Sequence, residues 1–279
     1  MREFPVTDWI GREETGQARL DMQMAAMLSA TLEHETQQRP LGAPLPPLWH
    51  WAAFPTMAET SALGRDGHPH KGGFLPPVAL PRRMWAGGEL EFLKPLHIGE
   101  TLTRHSVIDG IAEKDGATGR MVFVTVRHEI AGETGLALKE RQDIVYLPMP
   151  ERFTEPRPIP VPEQAVARRR LDISAALLFR YSACTFNAHR IHYDLPYARE
   201  VEKYPGLVVH GPLQATLLMQ LACDWKGRAP SRFRFRGVSP MFQDHPLDLI
   251  ADLGAEALEL CTAKGNQRQG MQAQAMWED

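Results

Sequence analysis

Residues 181–194 read YSACTFNAHRIHYD, and His210-Gly211-Pro212 follows a short way on. The stretch is polar, rich in imidazole, and set between two apolar helical patterns. An imidazole titrates near neutrality and can take or give a proton. A carboxamide can hold a water from both sides, donating through its NH2 and accepting at its oxygen. Gly211 stands where a helix is predicted to begin, and amides in a first helical turn have no intrahelical partner. The helix dipole there favours negative charge. Glycine also lets a ligand approach the backbone closely. Such a set could place a water beside a carbonyl compound and hold the charge that develops on its oxygen. That is the chemistry of adding water to an α,β-unsaturated thioester, or of removing it.

The segment resembles the signature of the MaoC-like hydratases and dehydratases, which have the hotdog fold. Their pattern is roughly aromatic-x-x-S-G-D-x-N-P-I-H-x-D, with an alanine further on. Here His192 falls on the signature histidine, Ile191 on the residue before it, Asp194 on the second acid and Ala198 on the alanine. The usual catalytic aspartate is Asn187, the usual asparagine is His189 and the usual proline is Arg190. The version F-N-A-H-R-I-H-Y-D looks like one branch, which holds the hydroxyacyl-thioester dehydratases of mitochondrial type and the bacterial itaconyl-CoA and mesaconyl-C4-CoA hydratases.

The resemblance implies an α+β double hotdog, two antiparallel sheets each wrapped around a central helix. Residues 1–150 would form a degenerate N-terminal hotdog that has lost the catalytic residues and walls the substrate channel. Residues 151–168 would be a linker, and residues 169–279 the catalytic hotdog. The composition agrees. The chain has 279 residues, enough for two domains, and 43% hydrophobic and 23% charged residues describe an ordinary globular protein. A net charge of −3 argues against nucleic acid or an anionic membrane as the main partner. The cysteines, Cys184, Cys223 and Cys261, are odd in number and form no C-x-x-C pair, which fits a reducing compartment. The opening MREFPVTDWIGREE lacks the apolar core of a secretory signal, and no run is apolar enough to span a membrane, so the cytosol is expected.

The elements that must position the motif can be read in outline. Alternate prolines in Glu155–Pro162 favour a stiff extended spacer, and the basic run Arg168-Arg169-Arg170 follows, either a solvated face or a contact to CoA phosphates. The first half opens with a predicted helix over 16–32, carrying Leu20, Met24, Met27 and Leu28 on one stripe. Strands are predicted at 89–92, 100–108, 119–130 and 136–147. The second half is predicted to form helices at 174–183, 196–203 and 212–225, then strands around Phe233 and Phe235, at 247–253 and at 271–276. A weak internal echo relates Glu91–Pro95 to Arg236–Pro240, each with a proline beside a strand.

His192 is the candidate base for the water, or acid in the reverse direction. Asn187 cannot act as a base, so it is read as positioning water or substrate, with His189 or Asp194 assisting His192. Asp194 either orients His192 or, more simply, caps the next helix. Arg190 and His189 could bind a substrate carboxylate, or Arg190 could face solvent. His210 either bonds at the helix start or lines the site, and the resemblance assigns Gly211 as an oxyanion donor. Arg83 and Trp85, beside Arg82, are candidates for a channel wall from the first half. Cys184 invites a Cys–His nucleophile reading that nothing else supports. Gly72-Gly73 and Gly87-Gly88 match neither phosphate-loop pattern. His68 and His70 lack further metal ligands at usable spacing, so no metal is expected. No cofactor is expected either, CoA entering as part of the substrate.

The resemblance thus implies an acyl-CoA hydro-lyase that interconverts mesaconyl-C4-CoA or itaconyl-CoA with citramalyl-CoA, as a homodimer. One alternative is a 3-hydroxyacyl-thioester dehydratase of fatty-acid synthesis. Another, of a different kind, is a non-catalytic acyl-thioester-binding hotdog, which the loss of the aspartate at 187 would favour. Thioesterase activity is a weaker reading.

Overall fold

The longest apolar helical pattern forms α4, Gly211–Lys226, with Pro212 in its first turn and left-handed Gly227 at its end. Every residue from Leu213 to Ala222 is buried. A helix apolar on all sides must be enclosed, and the sheet of the second half encloses it. The computed structural model describes residues 6–34, 39–116 and 119–278; part of the N-terminal opening lies outside them.

The first half contains β1 (Glu13–Arg19), α1 (Met22–Leu32), β2 (Arg82–Phe92), β3 (Thr101–Gly116), β4 (Gly119–Gly132) and β5 (Gly135–Leu147). The second contains β6 (Ala167–Leu171), α2 (Ala175–Cys184), α3 (Leu195–Glu200), α4, β7 (Arg232–Gly237), β8 (Leu247–Leu253), β9 (Leu258–Lys264) and β10 (Arg268–Met276). All ten strands form one antiparallel sheet in the order β1-β3-β4-β5-β2-β7-β10-β9-β8-β6. Read from its two edges inward the order is the same, β1 matching β6, β3 matching β8, and so on to β2 beside β7. The sheet is an internal repeat joined at its centre.

The echo at Pro95 and Pro240 marks equivalent turns of this repeat. After β2, Leu45 N–H donates to Leu96 O (2.7 Å) and Ile98 N–H to Ala43 O (2.9 Å); after β7, Val209 N–H donates to Met241 O (2.8 Å) and Gln243 N–H to Leu207 O (3.0 Å). The segment that follows Val209 is α4. Its counterpart after Leu45 is a single 3-10 turn, Trp49–Ala52. Left-handed Leu48 (φ 71°) precedes that turn and Pro55 follows it, and neither permits a continuing helix. The first half has therefore kept its sheet and lost its central helix, and a cavity lies in the space the helix would fill.

Several boundaries differ from the sequence reading. The predicted helix over 16–32 begins only at Met22, behind its Asp21 cap, and residues 13–19 pair with β3 instead. β9 and β6 were not anticipated. The basic run lies in β6, where Arg169 bonds Asp224 (2.7 Å) and Arg170 bonds Asp248 (3.0 Å). β8 is buried on both faces rather than alternating, because Ile250, Cys261 and Ala263 form a small outer cluster covered by Val161. The proline-rich segment is thus a strap across the outer sheet face, tied by Gln269 N–H to Ile159 O (3.2 Å). Among the described residues no helix is long and apolar enough to cross a membrane.

Phe233 of β7 lies opposite Leu90 of β2 at the central seam, and both are fully buried in a core shared by the two halves. Phe233→Ala is expected to cost ~3–5 kcal/mol. Urea unfolding should show one transition at a lowered midpoint. Separate transitions for the two halves would contradict a shared core.

Candidate active site

Four imidazoles gather where α4 begins. His192 Nδ1 lies 2.8 Å from Val208 O, so it carries the proton and Nε2 keeps the lone pair. Its ring stacks on His210 with centroids 3.6 Å apart and meets His189 edge-on at 5.3 Å. His210 is fully buried and held by Ser182 Oγ at 2.8 Å. His189 Nε2 lies 3.3 Å from Glu202 Oε1, and Arg82 Nε donates to Glu202 Oε2 at 3.1 Å. The fourth ring, His68, comes from the first half and lies 4.1 Å from His189.

Burial sets the charge of this cluster. It holds His192 well below the ordinary imidazole range, with His210 and His189 adding to the effect. Burial, then His189, lowers His210 to about 3. Burial and His189 lower His68 to about 4 against the pull of Asp66. Burial alone would raise the Asp66 carboxyl, but its hydrogen bond to His68 and the charge there outweigh that and leave it at about 2. The Glu202 carboxyl is likewise pushed up by burial and brought down further by His189 and Arg82.

Residues 53–81 connect the 3-10 turn to β2, whereas only residues 227–231 make the equivalent connection in the second half. The longer segment crosses to the signature loop. Arg190 N–H donates to Asp66 O (2.9 Å) and Arg190 Nη1 to Arg65 O (3.0 Å). Gly67 has φ +87°, and a Cβ there would lie 1.8 Å from Ala188 O, so only glycine permits the contact. His68 Nδ1 sits 2.9 Å from Asp66 Oδ2.

The cavity has a volume of about 820 Å³ and draws walls from both halves. Trp51, Phe54, Phe74, Leu75 and Ile144 make much of it apolar, while Arg83, His68 and Asn187 are among its polar groups. A bulge between Trp85 and Gly87 lies where β2 reaches the cavity. Trp85 donates Nε1–H to Gly87 O (2.8 Å) and packs against Trp51 with centroids 4.8 Å apart.

Comparison with known proteins bears on this arrangement. Residues 48–243 match the family model described as hydroxyacyl-thioester dehydratase type 2. The chain belongs to that family. It is 44% identical over 253 residues to the mesaconyl-C(4)-CoA hydratase of Chloroflexus aurantiacus, covering 90% of each chain. It is 29% identical to the mitochondrial hydroxyacyl-thioester dehydratase type 2 of Schizosaccharomyces pombe, over 75% of this chain and 79% of that one. A MaoC-like dehydratase structure superposes with a TM-score of 0.73 at 13% identity, covering 96% of this chain and 98% of that one. A Mycobacterium tuberculosis protein described as a double hotdog gives 0.57 at 13% identity, over 97% of both chains. The fold is the double hotdog, and the chain is an enzyme of the hydro-lyase class.

Within this family member the residues singled out by sequence separate into three groups. Asn187, Arg83 and Trp85 line the cavity. Asn187 Oδ1 accepts from His189 N–H (3.0 Å), which leaves its NH2 to spare, and Phe186 before it is held at φ 50°, a strained value for a phenylalanine. His192, His189 and His210 are buried together, and Gly211 opens α4 beside Trp85 O. Arg190 lies apart from the cavity lining, bonded to Asp194 (2.9 and 2.7 Å) and stacked on Tyr197 at 4.2 Å, so the cavity-lining arginines are Arg83 and Arg104. Asp194 also caps α3 through Tyr197 N–H (3.0 Å). Buried Cys184 faces Thr31 (4.0 Å), and burial raises its thiol, the opposite of a nucleophile's need. Gly87-Gly88 is no phosphate loop but the middle of β2. Sequence reasoning missed Asp66 and Glu202, and it passed over His68. Asp66, His68 and His189 have donor atoms within 4.8 Å of one another, a set no sequence spacing displays. Asp66 engages one nitrogen of His68 and Glu202 one nitrogen of His189.

An unfolded histidine titrates near 6.5, whereas folded His210 and His68 do so at about 3 and about 4. Between those values the unfolded chain binds more protons, so stability is complete above about pH 7 and falls as pH drops through about 6.5. The urea midpoint should decline between pH 7 and pH 5, with a shallower slope in His210→Gln. A midpoint constant over that range would show that the imidazoles are not held neutral.

Proposed function

We propose that this enzyme hydrates mesaconyl-C4-CoA to citramalyl-CoA, reversibly. The 44% identity to a mesaconyl-C(4)-CoA hydratase over 90% of both chains supports it. The observation that carries it is an imidazole with a free lone pair, His192, buried beside the first turn of α4 next to a cavity that Arg83 helps to line. The thioester oxygen takes the Gly211 N–H, where the helix start favours the growing negative charge. The water is held between His192 Nε2 and the Asn187 NH2, and the imidazole cluster takes its proton. Among the described residues Arg83 forms no ion pair with a carboxylate, which leaves its charge for the second carboxylate of the acyl group. Addition of water to a conjugated thioester needs no electron carrier, and the reading calls on no cofactor beyond the CoA of the substrate. It includes assembly as a cytosolic homodimer, as the resemblance and composition imply.

A second reading, 3-hydroxyacyl-thioester dehydration, is favoured by the apolar cavity wall and by the mitochondrial relatives. Absorbance near 260 nm separates the two with mesaconyl-C4-CoA, itaconyl-CoA and crotonyl-CoA. The dicarboxylic hydratase turns over the first and not the last, and His192→Ala lowers kcat by ~10²–10⁴. Turnover of crotonyl-CoA alone would move the assignment to the second reading. No turnover of any would favour an acyl-binding protein.

Arg83→Met should lower kcat/KM for the carboxylated substrate by about 2–4 kcal/mol, the cost of removing one side of a desolvated charge pair. Any residual crotonyl-CoA turnover should stay within a few-fold. An equal loss on both substrates would remove Arg83 from carboxylate recognition.

A further inference from the structure

The imidazoles of the site differ in what awaits a proton. His192 has its Nδ1–H on Val208 O, its face covered by His210 and its edge by His189. Among the described residues no carboxylate bonds to it, so an imidazolium there would be buried without a counter-charge. His68 has one. Asp66 Oδ2 lies 2.9 Å from its Nδ1, and Asp66 Oδ1 accepts from the backbone N–H of His68 at 3.1 Å. This fixes the tautomer and leaves Nε2 as the ring's lone pair on a side chain that lines the cavity with Asn187 and Ala188. The loop that carries the pair is fastened to the signature loop at Asp66 O, Arg65 O and Gly67.

We infer that His68, with Asp66 behind it as a positioning residue, is the proton-transfer group of the hydration proposed above, supplied from the degenerate half in place of the carboxylate absent at Asn187. The inference rests on the hydro-lyase reading. In the forward direction an O–H bond of water breaks, its proton passes to His68 Nε2 and its oxygen bonds to the β-carbon. The electron pair of the double bond moves into the thioester enolate. The imidazolium then gives the same proton to the α-carbon, forming the C–H bond and restoring neutral His68. One water is consumed and no proton or electron is left over. Asp66 remains a carboxylate throughout and stabilises the transient imidazolium. His192 stays neutral and, with Asn187, holds the water.

The test uses the full chain and mesaconyl-C4-CoA. His68→Gln, which keeps an amide to face Asp66, should lower kcat by ~10² or more with KM within about threefold. Asp66→Asn should lower kcat by roughly tenfold or more, and the double variant should be no worse than His68→Gln, because paired residues acting as a unit are not additive. Should His68→Gln melt early, His68→Ala supplies the second route: free imidazole should restore part of its turnover and leave wild type unaffected, which a purely structural histidine would not show. Wild-type kcat in His68→Gln, or losses that multiply in the double variant, would overturn the inference. Loss of wild-type activity on chelation with recovery on adding zinc would overturn it too, making Asp66, His68 and His189 metal ligands. A wild type inactive on every thioester defeats the hydro-lyase reading itself; an active wild type with an unimpaired His68→Gln defeats this inference alone.

Discussion

Gly87 and Gly88 open the stretch of β2 that pairs with β5 on one edge and with β7 on the other. A Cβ at Gly87 would stand 2.6 Å from Phe235 O, and one at Gly88 would stand 2.6 Å from Arg141 O. Their lack of side chains lets the strands close into one sheet, and the site depends on that closure. Across the seam, the concave face of the first half becomes continuous with the start of α4 in the second. Trp85, just before the bulge, packs on Trp51 (4.8 Å) and on Phe235 (5.8 Å), which also meet each other (5.9 Å). The seam therefore joins the two halves and also forms the cavity's inner corner.

The imidazole cluster is expensive to bury, and the surrounding structure shows how the cost is met. Neutral rings replace charged ones at His192 and His210, and each engages one ring nitrogen with a nearby oxygen, Val208 O or Ser182 Oγ. The carboxylates are partnered: Glu202 sits between His189 and Arg82, and Asp66 bonds His68. A buried carboxylate without such partners would take up a proton, and with it the fixed tautomers of the rings it orients would be lost.

Much of this was legible in the chain because it is local. Three of the four described helices, β3, β4 and β5, and the signature loop announce themselves by periodicity, caps and motif. Ser174 and Asp194 cap the helices that follow them. The strand at 13–19 was hidden because Leu20 and Leu28 fit a helical stripe that Asp21 interrupts. β8 lost its alternation because the Val161 strap buries its outer face, a tertiary contact that no local pattern records. In the site, His192 and Asn187 came from the motif, whereas Asp66 and Glu202 entered only through contacts with residues distant in sequence. By sequence Arg190 reads as a carboxylate binder or a solvent-facing cation and Asp194 as a cap or an orienter of His192; in the fold Asp194 caps α3 and also pairs with Arg190.

The shortened helix and the long loop of the first half are two sides of one change. Leu48 and Pro55 confine the chain to one turn where α4 has sixteen residues. The inner face of β2–β5 would then lie bare, with Arg104, His128 and Gln142 exposed along it. Residues 53–81 cover that face instead, but a loop follows its own turns and cannot fill the volume of a helix. What is left uncovered is the cavity. Because the same loop must end at β2, beside the seam, its path takes it over the signature loop, where Gly67 meets Ala188 and His68 meets His189. Removing a helix from one half thus made room for a ligand and carried titratable side chains to the other half's motif, which has an asparagine where the related signature has an acid.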